Sequence, residues 1–418
     1  MANHPVRRVV ITGIGIVSPL GNNPSDFFSA LVQGRSGISR LKAEFVDMLD
    51  AKIAAQADFD GTQHFTKQQL ALLDRVSQFA MYAAKQAAED SGLDFNAVDL
   101  NRTGCFIGTG MGGANATEEG YIRLFKEQAN RLKPFTVLMA MNGAAASQIA
   151  MEFKVAGPNF TYTTACSSSA IAIGEACRQI QHGYCDVMFA GGTEALLTFG
   201  TIKAWEALRT MANEDADNPA NSCKPFSANR SGLVLGEGSA VVILEELESA
   251  KARGAKIYAE ITGYGTTNDN GHITQPSADG QARAMRAALA NAGLEPQKIG
   301  YINAHGTGTQ LNDATETAAV KQVFGEYASQ IPMSSTKSMH GHLMGAAGAV
   351  ELVATTLALV HGQLPPTINL YQADPECDLD YVPNLARTVT GLKHAMTNSF
   401  AFGGTSGVII LSKAEQNG

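Results

Sequence analysis

The chain has 418 residues, of which 45% are hydrophobic and 17% charged, and its formal net charge is −8 at pH 7. This composition is typical of a compact soluble protein with roughly two or three folding units, and it excludes a broad nucleic-acid-binding face, which needs clustered Lys and Arg. The six cysteines form no CxxC pair and have no His at metal-ligand spacing, so we expect mostly inert buried thiols and no metal site. The N-terminal apolar run is short and glycine-punctuated, which predicts a first strand in a cytoplasmic protein.

Strand-like and helical runs alternate along the chain, which predicts an α/β fold with largely parallel sheets. The predicted strands are 7–17, 102–109, 158–165, 185–191, 256–266, 299–304, 331–336 and 395–400, with 406–413 as a hairpin partner. The predicted helices include 66–92, 167–182, 279–293, 312–324 and 342–362.

The two halves of the chain follow one plan, because each opens with a strand that ends in glycine, VVITGIGIV and AEITGYG. This pattern predicts a duplicated fold. Two helical runs, SSSAIAIGEACRQIQ and LMGAAGAVELVATTLALV, carry small residues on nearly every face, which indicates a helix layer buried between two sheets. The second run is interrupted by Glu351, so we expect a core helix and no membrane span.

Cys166 lies where the strand-like run GPNFTYTTA meets a helical run. Unpaired N–H groups and the positive dipole at a helix N-terminus lower the pKa of a thiol and can also hold an oxyanion. Cys166 is therefore a candidate nucleophile, and a packed small hydrophobe is the alternative.

Two histidines occupy equivalent positions in later units. His305 follows the strand-like run IGYI within NAHGTGTQLND, and His342 opens the long small-residue helix in SSTKSMHGHLMGAAGA. The carboxyl ends of parallel strands are where α/β folds gather their active sites, so the recurrence of Cys, His and His predicts one site. His340 is a competitor for the role of His342.

Two further features sit near these motifs. Lys337 is predicted to end a core strand, where its charge either orients a histidine or pairs with Glu351. NSFAFGGTSG places Phe400 and Phe402 beside paired glycines, as either a hairpin turn or a mobile loop whose backbone N–H faces the reacting carbonyl. GTGMGG satisfies GxGxxG but lacks the acidic residue of a dinucleotide site.

Five motifs, TACSSSA, AGGTEA, NAHGTGT, SSTKSMHGHLMGAAGAVE and NSFAFGGTSG, resemble those of the β-ketoacyl-[acyl-carrier-protein] synthases, particularly the type II, FabF-like branch, in order and spacing. The resemblance implies a thiolase-like α/β fold whose two similar halves form αβαβα layers. It also implies a first half, 1–250, with the nucleophile and the dimer interface, and a second half, 251–418, with the catalytic histidines.

The resemblance implies that Cys166 accepts the acyl group and that His305 and His342 serve malonyl decarboxylation and condensation. It assigns a supporting role to Lys337. The backbone N–H groups of Cys166 and Phe402 would form the oxyanion hole, and Phe402 would also be the gate between the two half-reactions.

For substrate binding, the resemblance implies that Thr307 and Thr309, and more weakly Thr274, contact the phosphopantetheine arm. Met111 takes the place of a side chain that guards the acyl pocket, and Phe400 is a further substrate-binding candidate. No cofactor is expected beyond the phosphopantetheine of an acyl carrier protein.

Several positions depart from the family pattern. Ala401 replaces a usual glycine, which should restrict the loop backbone, His340 stands where threonine is usual, and Ser231 where aspartate is common. A basic cluster that docks the acidic carrier protein in relatives is here QQLALLDR. These departures favour a dedicated pathway, such as polyene or polyketide formation, over housekeeping fatty-acid synthesis.

Carrier docking would then depend on Arg131, Lys133 and Arg209, with a solvated scatter of charges as the alternative. We expect a homodimer, or a heterodimer with a related ketosynthase-like subunit. Non-catalytic chain-length-factor subunits lose the cysteine, which is present here, and thiolases use a second cysteine near the C-terminus, which NSFAFGGTSG lacks.

Overall fold

The computed structural model describes residues 6–414. Its strands are β1 (Val9–Val17), β2 (Ile38–Arg40), β3 (Ile53–Ala55), β4 (Thr103–Gly108), β5 (Asn159–Tyr162), β6 (Val187–Glu194), β7 (Gly238–Glu246), β8 (Ala259–Asn268), β9 (Tyr301–Asn303), β10 (Met333–Ser334), β11 (Gln363–Leu364), β12 (Arg387–Thr388), β13 (His394–Phe400) and β14 (Thr405–Ser412). Its α-helices are α1 (Pro24–Val32), α2 (Lys67–Leu70), α3 (Arg75–Ser91), α4 (Ala114–Tyr121), α5 (Thr136–Ala140), α6 (Ala144–Phe153), α7 (Ser168–Gln181), α8 (Phe199–Ala207), α9 (Leu247–Ala252), α10 (Ala278–Ala292), α11 (Gln310–Phe324), α12 (Lys337–His340) and α13 (Ala347–His361).

The main sheet repeats one five-strand pattern twice. Its order is β10-β9-β13-β14-β8-β1-β7-β6-β4-β5, so β1, β7, β6, β4 and β5 in the first half correspond to β8, β14, β13, β9 and β10 in the second. Each correspondence preserves direction: β1–β7 and β8–β14 are antiparallel, whereas β4–β6 and β9–β13 are parallel. The predicted duplication is confirmed by this topology.

The helices complete five layers. Helix α7 packs on strands of the first half and α13 on strands of the second, and the two helices also contact each other. Helices α3 and α6 cover the outer face of the first half, and α10, backed by α11, covers the outer face of the second. The predicted central helix layer is therefore present. The two half-sheets are not separate, however, because β1 and β8 pair at Val10–Glu260 and Ile11–Ala259.

Small residues in the central helices allow this close packing. A Cβ added at Gly174 of α7 would lie 2.3 Å from the ring of Tyr264 on β8. A Cβ added at Gly348 of α13 would lie 2.9 Å from the backbone nitrogen of Ala170 on α7. Helix α13 belongs to the stretch Met344–His361, which is long and apolar enough to cross a membrane but has 89% of its residues buried inside the fold. It is a core helix, as predicted.

Three structural expectations are wrong. The sheet is mixed, because β7, which the strand pattern missed, and β14 run antiparallel to both neighbours. The helix 66–92 is broken, since Asp74 accepts a hydrogen bond from the N–H of Val76 and caps a new start for α3. Lys337 opens the short helix α12 and does not end a strand. The domain limits 1–250 and 251–418 stay a prediction.

We predict that Gly174→Ala lowers the denaturation midpoint of the protein. The new methyl group would overlap the buried ring of Tyr264, and such overpacking costs about 1–3 kcal/mol. Gly120→Ala in α4 is the control, because its Cβ would meet only atoms at 3.6 Å or more. Urea unfolding followed by circular dichroism checks both variants, and equal midpoints would contradict the prediction.

Candidate active site

Cys166 lies in a tight turn directly ahead of helix α7. Residues Ala165–Ser167 form a 3-10 turn, and Ala165 has a φ of +50°, which is strained for a residue with a side chain. The Ser168 hydroxyl fixes the turn by accepting from Thr164 N–H at 2.8 Å and donating to Ala165 O at 2.6 Å. The turn holds the Cys166 sulfur in a pocket where the side chain is 5% exposed.

His342 contacts this sulfur from the other half of the chain. Its Nε2 atom is 3.1 Å from Cys166 Sγ, within reach for proton exchange. His342 precedes α13 in an extended segment whose N–H donates to Val234 O at 2.7 Å, so it lies before the helix that the sequence predicted to begin at 342. Met344 Sδ is 4.0 Å from Cys166 Sγ and forms the apolar side of the pocket.

The electrostatic environment of the thiol differs from the sequence-based expectation. Burial raises the pKa of Cys166 to about 12, although the charge of Lys337 and a hydrogen bond from the Phe402 backbone N–H lower it. The expectation of a lowered pKa is wrong, because desolvation outweighs the two influences that lower the pKa. The resting site therefore holds a neutral thiol.

His305 is oriented by a buried cation. The Lys337 ammonium donates to His305 O at 2.6 Å and contacts His305 Nδ1 at 3.5 Å, and it also pairs with Glu351 on α13. Because an ammonium group has no acceptor, Nδ1 must accept and the imidazole proton must sit on Nε2. Both alternatives for Lys337 are thus realised, as it orients the histidine and pairs with Glu351.

The two imidazoles are held close together in neutral form. Their ring centroids are 5.4 Å apart at an interplanar angle of 83°. One nitrogen of each ring and the Cys166 sulfur all lie within 4.8 Å of one another. Burial, with the charge of Lys337, puts the pKa of His305 and of His342 well below the ordinary value. A Cys–His–His set suits zinc, but the ammonium beside His305 opposes a second cation, and the absence of a metal site stays a prediction.

Two buried glutamates that the sequence analysis did not single out hold the site loops. Glu316 on α11 accepts from the backbone N–H groups of His305 and Gly306, both at 2.8 Å. Glu194, at the end of β6, accepts from Gly110 N–H at 2.7 Å and Gly345 N–H at 2.9 Å, and burial raises its pKa to about 7. In the sequence, Glu194 could have been noticed because it is the single acidic residue of AGGTEA and ends an otherwise apolar strand.

A cavity of about 220 Å³ leads to these groups. Its lining includes nine of the residues predicted for the site: Cys166, Arg209, Thr274, His305, Thr307, Thr309, His342, Phe400 and Phe402. The hydroxyls of Thr307 and Thr309 are 2.9 Å apart, and the ring of Phe400 meets that of His305 at 6.0 Å. Lys337 lies behind the cavity wall, fully buried.

Besides Lys337, three predicted residues lie outside this lining. Met111 is 47% exposed, with its N–H bound to Glu194 at 3.1 Å. Arg131 and Lys133 are exposed, and Lys133 pairs with Glu119 at 2.9 Å. Within the described chain, only Arg209 of the three proposed docking cations reaches the cavity mouth.

The departures from the family pattern have local explanations. His340 cannot replace His342, because its Nδ1 donates to Gly341 O at 2.8 Å and its Nε2 contacts the Thr336 hydroxyl at 2.9 Å. Ser231 lines the cavity and accepts from the backbone N–H of Asn213 at 3.0 Å. Ala401 has no left-handed φ, so a methyl group is accommodated there.

Comparison with family models and known proteins finds matches over nearly the whole chain. The chain matches two family models, the beta-ketoacyl synthase N-terminal domain over residues 6–250 and its C-terminal domain over 258–371. It is 42% identical to 3-oxoacyl-[acyl-carrier-protein] synthase 2 of Synechocystis, over 99% of this chain and all of that protein. It is 43% identical to the same-named protein of Coxiella burnetii, over 97% and 99%, and 43% identical to nodulation protein E of Rhizobium meliloti, over 96% and 98%.

Solved structures share the fold. One is a type II polyketide synthase acyl-carrier protein in complex with its ketosynthase bound to the hexaketide, matched with TM-score 0.90 and 34% identity. Another is the ishigamide ketosynthase/chain length factor, with TM-score 0.92 and 33% identity. Both matches cover 98% of this chain and 100% of the other. The expected thiolase-like fold is confirmed.

We predict that alkylation of Cys166 by iodoacetamide accelerates steadily from pH 6 to pH 9. Because burial raises the thiol pKa, the thiolate fraction grows about tenfold per pH unit throughout this range. Mass spectrometry of the Cys166 peptide measures the rate, with unfolded protein as the control for an ordinary thiol. A plateau below pH 8 would instead support the thiolate expected from the helix N-terminus.

Proposed function

The chain belongs to the β-ketoacyl synthase family, and on this premise we propose that it joins an acyl group on Cys166 to malonyl-carrier protein by decarboxylative condensation. The product is a 3-ketoacyl chain that is two carbons longer. The observation that carries the proposal is the contact of 3.1 Å between Cys166 Sγ and His342 Nε2, with His305 in the same cluster. The protein is an acyltransferase.

In the first half-reaction, the Cys166 sulfur attacks the carbonyl of an acyl thioester. His342 Nε2 takes the thiol proton as the carbon–sulfur bond forms and passes it to the departing pantetheine sulfur. The Phe402 N–H, which hydrogen bonds to the Cys166 sulfur in the resting site, stabilises the developing oxyanion. Thiol and thioester are exchanged, so neither net charge nor oxidation state changes.

In the second half-reaction, malonyl thioester loses CO2 and the electron pair of the broken bond enters an enolate. His305 donates its Nε2–H to the enolate oxygen, since Lys337 occupies the Nδ1 side. A neutral donor stabilises the enolate without protonating its carbon. That carbon attacks the acyl-cysteine carbonyl, the carbon–sulfur bond breaks and Cys166 leaves as a thiolate. It then takes up one proton from solvent, which is the proton that the overall reaction consumes.

Acyl carrier protein is the proposed partner in both steps, and no cofactor is needed beyond its phosphopantetheine. Thr307, Thr309 and Thr274 line the cavity and present hydroxyls for the amides of that arm. Arg209 at the mouth is a cation for its phosphate or for the acidic carrier. A carrier protein bound to a ketosynthase in a structural relative supports this proposal. The six unpaired cysteines favour a cytoplasmic location.

A second chain with the same fold is proposed to cover the face formed by α4–α6 and β5. In the sheet of the described residues, β5 is an edge strand, and exposed strand edges invite pairing. Large apolar side chains crowd the adjoining segment with exposures between 38% and 78%: Tyr121, Ile122, Phe125, Leu132, Phe135, Val137, Leu138 and Met141. Such a patch is typical of an interface.

The partner on this face is either an identical chain or a related non-catalytic subunit. The complete Cys–His–His set of this chain fits a homodimer. The ketosynthase/chain length factor relative supports the heterodimer as the second candidate, together with a pathway devoted to polyketides or polyenes.

We predict that Cys166→Ala abolishes both acylation and condensation, because the accepting sulfur is lost. Cys166→Gln should retain malonyl decarboxylation without chain extension, since both histidines remain. Mass spectrometry after incubation with an acyl-carrier thioester measures the adduct, and gas analysis measures CO2. The buried thiol variant Cys223→Ala is the control, and an adduct that persists in Cys166→Ala would refute the nucleophile.

We predict that Val137→Asp shifts the dimer toward monomer, because a charge is placed in the apolar face. Leu385→Asp, at a position 80% exposed elsewhere, is the matched control and should not change the mass. Light scattering at micromolar concentration checks both variants. A wild-type chain that stays monomeric alone and associates only with a coexpressed ketosynthase-like subunit would favour the heterodimer, and a monomer in both cases would contradict the interface.

A further inference from the structure

An aromatic contact connects helix α8 to the loop that follows β13. The rings of Trp205 and Phe402 stack at a centroid distance of 6.1 Å and an interplanar angle of 24°. The backbone N–H of the same Phe402 hydrogen bonds to the Cys166 sulfur. A side chain that holds the Phe402 ring therefore also holds the donor that faces the reacting atom.

Backbone hydrogen bonds hold the loop on both sides of Phe402. Ala401 N–H donates to Thr405 O at 3.0 Å, and Gly403 N–H donates to Ile273 O at 2.8 Å. Gly403 and Gly404 have φ values of +82° and +81°, and a Cβ on Gly403 would meet nothing within 4 Å. These bonds hold the backbone of the loop, and the stack on Trp205 is a contact that holds the Phe402 ring.

Trp205 also packs against the apolar cluster around the nucleophile. Buried members of this cluster include Leu196, Ile202, Met344 and Cys166 itself. Met344 Sδ lies 4.0 Å from Cys166 Sγ, so this cluster fills one side of the sulfur. An acyl chain attached to Cys166 must displace part of this cluster, and Trp205 is at its edge.

We propose that Trp205 is a positioning residue that latches Phe402 over Cys166 in the unacylated protein, and that a medium-length acyl chain on Cys166 separates the two rings. The inference rests on the acyl-cysteine of the proposed function. Phe400 is two residues from Phe402 and contacts the ring of His305 at 6.0 Å. Release of the latch thus reaches the half of the cavity where malonyl thioester reacts.

The chain offers a direct test, because Trp205 is its single tryptophan. Full-length protein is treated with the octanoyl thioester of N-acetylcysteamine, and mass spectrometry measures occupancy of Cys166. We expect the emission wavelength and the acrylamide quenching of Trp205 to change in proportion to occupancy. The acetyl thioester should give a smaller change, and Cys166→Ala should give none.

The two proposals fail differently in this experiment. Full octanoylation of Cys166 with unchanged tryptophan emission overturns the latch and leaves the nucleophile intact. Absence of any acyl adduct on Cys166 overturns the proposed function, and with it the inference.

Substitutions of Trp205 distinguish a role in positioning Phe402 from a contribution to packing alone. Trp205→Leu removes the stack, so we expect malonyl decarboxylation without prior acylation to rise about two- to tenfold relative to condensation, as loss of one aromatic pair implies. Trp205→Phe should restore most of the coupling. Phe45→Leu is the matched control, because Phe45 packs edge-on against Phe199 at 5.6 Å beside the same cluster. An equal rise in Trp205→Leu and Phe45→Leu, or no rescue by Trp205→Phe, overturns the latch.

Discussion

Lys337 is the buried charge around which the site is arranged. Its ammonium is fully buried and joins Glu351 on α13 to the main chain and ring of His305. A buried cation is tolerated only when it is paired, and removal of one partner costs on the order of 3–5 kcal/mol. This interaction therefore fixes the spacing between α13 and the loop after β9, and it decides which nitrogen of His305 carries the proton.

Burial excludes water from the site and thereby sets the protonation of its thiol and imidazoles. Burial keeps the Cys166 thiol protonated and both imidazoles neutral. In this state the protonated Cys166 thiol is a poor nucleophile. In the proposed mechanism, the thiol becomes reactive when a carbonyl lies between the sulfur and the Phe402 N–H, because charge then develops where donors are already placed.

Much of this arrangement could be predicted from local patterns. The alternation of strands, turns and helices placed Cys166 and His305 just after strands, β5 and β9 in the structure, and the small-residue runs correctly predicted α7 and α13 as buried helices. Other features could not be predicted. Glu316 reaches the N–H groups of His305 and Gly306 from a helix whose sequence, QLNDATETAAVKQVF, gives no sign that this carboxylate faces inward.

The sequence by itself determined the duplicated α/β plan, the candidate reactive groups and the buried central helices, because periodicity and turn residues depend on neighbours along the chain. Only the tertiary structure decided the antiparallel insertion of β7, the place of β14 between β13 and β8, the union of the half-sheets through β1 and β8, and the protonation of the site. These depend on contacts between distant segments. The thiol of Cys166 shows the difference most clearly: its position beside a helix N-terminus is local, whereas the desolvation that raises its pKa comes from side chains of both halves.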